Sequence, residues 1–196
     1  MLPVALDVAP YDTSTGSRAG GAAPACLALE GDLLDRYDYV LTIGAGVAPW
    51  SGGRELSVLL RRGFTVGDDD VEYPDIGAKA VLHPPSPRGD GGRGVHPGLG
   101  SAALVPVEAD DEAAAFVRIA DVPRLIQNEP TYAAVVEADG YRFLFQVEDD
   151  GLPHGDHPAG EFLFGDHPFG YGAIYFYGAL DDQGHATLVV PGFLDF

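Results

Sequence analysis

Glycine and proline punctuate this chain so densely that no long uninterrupted element can form over most of its length. There are 27 glycines and 16 prolines in 196 residues, and they cut the apolar runs into short pieces. Runs of four to eight apolar residues bounded by turn formers favour strands over helices. The expected strands are Val4–Val8, Tyr39–Ile43, Glu55–Leu60, Ala78–Leu82, Ala102–Val107, Tyr132–Glu137, Tyr141–Val147, Ala173–Tyr177 and Ala186–Val190. Two short connections read as hairpins: Ala138-Asp139-Gly140, and Asp181-Asp182-Gln183-Gly184 before the last strand. In "YRFLFQVE", Tyr141, Phe143, Phe145 and Val147 would share one face, opposite Arg142, Leu144, Gln146 and Glu148.

Helix is expected in few places. Asp110–Ile119 has acids in its first turn and an arginine late, which suits the helix dipole. Val122–Gln127 could form a short helix with Pro123 in its first turn, and Leu27–Tyr37 is interrupted by Gly31. Residues 83–100, "HPPSPRGDGGRGVHPGLG", have no periodicity and read as a long mobile loop inside the domain. The fold class expected is α+β, mostly antiparallel sheet with a few short helices, in a single domain spanning 1–196. That length suffices to bury one core.

The formal net charge is −19, with Lys79 as the only lysine. Such a chain repels phosphate backbones and anionic lipid headgroups, which argues against nucleic acid and membrane surfaces as partners. Surplus acid is explained by a solvated, self-repelling surface, by a docking face for a basic protein, or by a high-salt habitat. "VGDDDVEYPD" concentrates Asp68, Asp69, Asp70, Glu72 and Asp75, and is the expected acidic interaction surface. It is not a calcium loop: counted from Asp68, the glycine and glutamate positions hold Tyr73 and Lys79. The single Cys26 excludes an intrachain disulfide, the first residues lack a basic n-region, and the location expected is cytoplasmic.

"HGDHPAGEFLFGDHPFGYG" spells Gly-Asp-His-Pro twice. As a metal or acid/base site it would use His154, His157, Asp166 and His167, converging from loops, since Gly155 and Pro158 break any helix there. Four of the six histidines precede proline, however, including His83 and His96, so His-Pro reads first as turn composition. No cofactor is expected. Gly44 and Gly46 lack the third Rossmann glycine and meet Pro49. The glycine-rich loop lacks a phosphate-loop lysine, and Arg88-Gly89-Asp90 is a coincidence of spelling. Tyr171, Tyr175, Phe176 and Tyr177 could line a ligand pocket, but alternating aromatics in a strand need only a core to explain them.

"LIQNEPTYAAVVEADGYRFLFQVEDD" runs an Ile-Gln-x-Glu-Pro segment (Ile126, Gln127, Glu129, Pro130) into a strand ending Phe-Gln-x-Glu. "FGDHPFGYGAIYFYGAL" follows with Gly165-Asp166, Gly172 and Tyr175-Phe176. In that order these segments resemble the YwqG-like family of uncharacterised bacterial proteins, over Ile126–Tyr177. The chain departs from the family in inserting His-Pro-Phe-Gly-Tyr between Asp166 and Gly172 and in lacking the paired cysteines of some members. The resemblance implies an α+β fold with two similar β-rich halves, and an immunity or interaction role. Gln127 and Gln146 would then serve backbone groups at strand ends. The function expected is a non-enzymatic, acidic protein-binding module for a basic partner; the alternative is a metal-dependent enzyme or metal-binding protein built on the His154–His167 loop.

Overall fold

A computed structural model describes residues 3–14, 16–65, 71–108, 115–127, 130–149, 151 and 161–196. The strands are β1 (Val4–Pro10), β2 (Arg18–Ala19), β3 (Tyr37–Ile43), β4 (Glu55–Arg61) and β5 (Ala78–His83), followed by β6 (Ala102–Val107), β7 (Val117–Ile119), β8 (Arg142–Glu148), β9 (Ala173–Leu180) and β10 (Ala186–Asp195). They form one ten-stranded sheet in the order β10-β9-β8-β7-β1-β6-β2-β3-β4-β5. Every neighbouring pair is antiparallel. The sheet curls until its two edges, β5 and β10, lie side by side without a hydrogen-bonded ladder between them. The result is a nearly closed barrel, so the α+β expectation holds only coarsely.

The inside of the curl is filled by alternate residues of nearly every strand. Leu6, Leu41, Val58, Leu104, Val117, Phe145, Ile174 and Phe176 are all at most 1% exposed. Phe145 and Phe176 stack at 4.5 Å between ring centroids, and Trp50 closes one end over Phe145 at 5.8 Å. Each such ring contributes on the order of 2–3 kcal/mol by leaving water. Outside the sheet, Tyr175, Tyr177, Phe193 and Phe143 form a second cluster, and Tyr39, Leu59, Leu27 and Leu34 a third. The third is covered by a 3₁₀ turn at Ala25–Leu29 and by α1 (Leu33–Arg36).

Eight of the nine expected strands are present, and the Asp181–Gly184 hairpin joins β9 to β10. Several expectations are corrected. Tyr132–Glu137 is not a strand: a 3₁₀ turn at Pro130–Ala133 runs into α2 (Ala134–Ala138). Ala133 and Val136, three apart, face the outer aromatic cluster while Val135 is exposed, a helical rather than an alternating pattern. Gly140, with φ 89°, therefore ends a helix instead of turning a hairpin.

Of the expected helix at Asp110–Ile119, residues 110–114 lie outside the description. Val117–Ile119 is a strand locked between β1 and β8. Its two β-branched residues are fully buried, and sheet pairing overrides the dipole-friendly charges. Residues 122–127 are irregular.

The face assignment in β8 also changes. A register shift against β9 between Phe143 and Phe145 sends Phe143 outward and Phe145 inward, and both faces of the strand are buried. Residues 83–100 are tied to the body by hydrogen bonds from Ala25 to Pro87, from Gly89 to Ala23 and from Tyr39 to Gly94.

Candidate functional site

The seam between β5 and β10 is where a ten-strand barrel fails to close, and a groove of about 670 Å³ runs along it. Its walls are Ala78–Val81 of β5 and Leu188–Pro191 of β10, with α1 and residues 73–76 at the sides. Arg61 donates to the Gly77 carbonyl, so hydrogen-bonded and open pairs alternate from there along β4 and β5. That alternation turns the backbone groups of Ala78, Ala80 and Leu82 away from β4, toward the seam. Leu188 of β10 is 48% exposed in the groove.

Both ends of the seam are bridged. At one end the Arg54 guanidinium donates to the Ala186 carbonyl. At the other, Val71–Tyr73 lies against β10: Tyr73 N–H donates to Gly192 at 2.6 Å, and Leu194 N–H to Val71 at 3.0 Å. The chain thus already adds a strand stub to its own open edge. Tyr73 is held by its hydroxyl, which donates to Asp139 at 2.7 Å. That bond to a carboxylate pushes the phenol up to about 12.

This places part of the expected acidic surface at the seam. Glu72 bridges to Phe193 and Asp75 lines the groove, while Asp68, Asp69 and Asp70 lie outside the described residues. Glu30 and Asp32 stand on the opposite side. The groove's two cations are engaged within its lining: Arg36 pairs with Asp32 at 3.1 Å, and the Lys79 ammonium sits 5.0 Å over the Tyr37 ring. Glu30 and Asp75 have no ion pair among the described residues.

The other candidates separate. Of the histidine loop, His154 and His157 lie outside the description, Asp166 is exposed and His167 is buried. His167 Nδ1 accepts the Phe169 N–H at 3.2 Å, and the Gly170 N–H reaches the His167 carbonyl at 2.9 Å. The same device recurs at His96-Pro97-Gly98, where Nδ1 accepts the Gly98 N–H at 3.1 Å. These are turns, and in both the imidazole caps the backbone. Burial beside Phe116 and Phe169 pushes His167 down to about 4. Among the described residues no group of three or more His, Cys, Asp or Glu side chains is gathered as metal ligands. Tyr175, Phe176 and Tyr177 are fully buried in the two cores and Tyr171 is 81% exposed, so these four do not share a pocket.

Two polar networks escaped the sequence reading. Under residues 121–127, Arg118 meets Glu148 at 3.0 Å, Gln146 donates to Glu148 at 2.8 Å, and Asp195 accepts the Ile126 N–H at 2.7 Å. Tyr175 donates to the Arg124 carbonyl at 2.7 Å, and burial with the Asp195 carboxylate beside it drives its phenol upward. Gln127 donates from Nε2 to the Phe196 carbonyl, so both glutamines serve backbone groups.

The second network crosses β3, β4 and β5. Ser57 lies 2.8 Å from both Thr42 and His83 Nε2, and Tyr39 lies 2.8 Å from Thr42. His83 Nδ1 is 2.8 Å from the Pro84 carbonyl and 3.8 Å from Glu55. A carbonyl only accepts, so in the neutral ring Nδ1 holds the proton and Ser57 donates to Nε2. Ser57 is fully buried and the Nδ1 proton is directed at the Pro84 carbonyl rather than at Glu55, so this chain differs from a hydrolase triad and serves to cross-link β3, β4 and β5.

No helix among the described residues is long and apolar enough to cross a membrane. No protein-family profile, curated protein or solved structure matches the chain.

Proposed function

We propose that this protein is a binding module that takes up an extended, basic polypeptide segment along the β5–β10 seam. The observation behind it is the seam itself: an edge with outward backbone groups, next to an edge that already accepts Val71–Tyr73 as an added strand. Main-chain pairing of this kind supplies affinity without demanding a particular sequence. Glu30 and Asp75 in the groove and Glu72 at its end, on a chain of net charge −19, select positive side chains and speed encounter. An interaction role of this kind also agrees with what the resemblance to the YwqG-like family implies.

The test is fluorescence anisotropy with a labelled peptide alternating lysine and valine, against one alternating lysine and proline. The charges are equal, but the second has fewer amides to pair with an edge. Saturable binding of the first alone, weakened by salt and lost in Ala80→Pro, supports strand addition. Equal binding of both peptides would overturn it.

A further inference from the structure

A second cleft, of about 600 Å³, opens where β2 and the start of β4 meet residues 85–88. Tyr11, Ser14, Arg18, Glu55, Ser86 and Arg88 line it. Its charged groups are two guanidiniums and one carboxylate, a local positive excess on a strongly acidic chain.

Arg18 is 7% exposed. It donates from Nη1 to the Gly16 carbonyl at 3.1 Å and from Nη2 to the Ser86 carbonyl at 3.2 Å, while its Nε has no partner among the described residues. No carboxylate among those residues pairs with it. A buried guanidinium held only by carbonyls lacks the counter-charge that offsets its desolvation. Arg88 is aimed by two contacts: Nη2 donates to Ser101 at 2.5 Å, and the guanidinium lies 4.9 Å over the Tyr11 ring.

Glu55 stands in the same cleft, 5% exposed, and its carboxylate accepts the Ser86 N–H at 3.2 Å, with the His83 ring 3.8 Å away. A bare anion would meet this carboxylate, and a bare cation would meet two guanidiniums. A molecule bearing both charges satisfies all three groups at once.

We propose that this cleft binds a small zwitterion of the amino-acid or dipeptide type, its carboxylate against Arg18 and Arg88 and its ammonium against Glu55. The proposal is independent of the seam.

The test follows the Nε–Hε resonance of Arg18, identified by its loss in Arg18→Lys, in ¹H–¹⁵N spectra. The protein is titrated with L-alanine, L-alanyl-L-alanine, acetate and methylamine. At least one zwitterion is expected to shift the resonance saturably and to bind about tenfold or more tightly than acetate or methylamine, a gap of roughly 1.4 kcal/mol. Glu55→Gln should abolish the preference over acetate, and Arg88→Gln should weaken every carboxylate ligand. The absence of a saturable shift with either zwitterion, or acetate binding as tightly as both, overturns the proposal. Those two outcomes are read on the unaltered protein, so a misfolded variant cannot obscure them.

Discussion

Gln146 holds the backbone of Arg124 from both sides: its Oε1 accepts the Arg124 N–H at 2.8 Å, and its Nε2 donates to the Arg124 carbonyl at 2.9 Å. The same Nε2 donates to Glu148, so one buried amide fastens residues 121–127 to the sheet and supplies a hydrogen bond to a buried acid. Gln146→Leu leaves those groups unpaired, which costs about 1–3 kcal/mol for a buried polar group. Urea unfolding should show that loss, and hydrogen exchange at the Arg124 amide should quicken.

His167 sets an acid limit on stability. Its imidazole is pushed from 6.5 down to about 4 by burial, so between those values the unfolded chain binds a proton that the folded chain refuses. Its contribution is complete above pH 6.5 and is lost as pH falls toward 4, a loss of roughly 3 kcal/mol. Urea midpoints measured across that window should fall with pH, and His167→Asn should flatten the slope. An unchanged slope would mean that the ring is charged in the folded protein.

Trp50 reports on the barrel's end. The chain has one tryptophan, 3% exposed and stacked on Phe145. Its emission should be blue-shifted, resistant to iodide, and red-shifted on unfolding in step with circular dichroism. Efficient quenching in the folded state would contradict the packing of Pro49–Ser51 into the core.

Arg54 bridges the seam, from the connection between β3 and β4 to the Ala186 carbonyl at the start of β10. Arg54→Ala is expected to cost about 1 kcal/mol, the scale of one hydrogen bond. Hydrogen exchange should rise in the first residues of β10 while the β8 and β9 amides stay protected. Uniform acceleration across the sheet would show instead that the seam is not a local weak point.

Eight strands were legible because each is a short β-rich run between turn formers, a property of residues one and two apart. Tyr132–Glu137 misled for the same reason: its aromatic and β-branched residues fit either period, and Phe193 and Tyr175 select the helical one by offering Ala133 and Val136 a surface to cover. Val117–Ile119 was hidden because the acids and alanines before it satisfy a helix locally, whereas its partners, Leu6 and Val147, lie far away in the chain. The Tyr39–Thr42–Ser57–His83 network had no local signal, since its members come from three different strands.

By itself, the sequence determined a short-stranded, acidic, disulfide-free chain with turns at His96-Pro97 and His167-Pro168, because composition and near-neighbour sterics suffice for each of these. Only the tertiary structure decided that the sheet curls to an unclosed seam, that Glu72 and Asp75 sit beside it, and that Arg18 and Glu55 share a cleft. Those relationships depend on strand register and sheet twist, which place residues tens of positions apart within hydrogen-bonding distance and are set by the packing of the whole core.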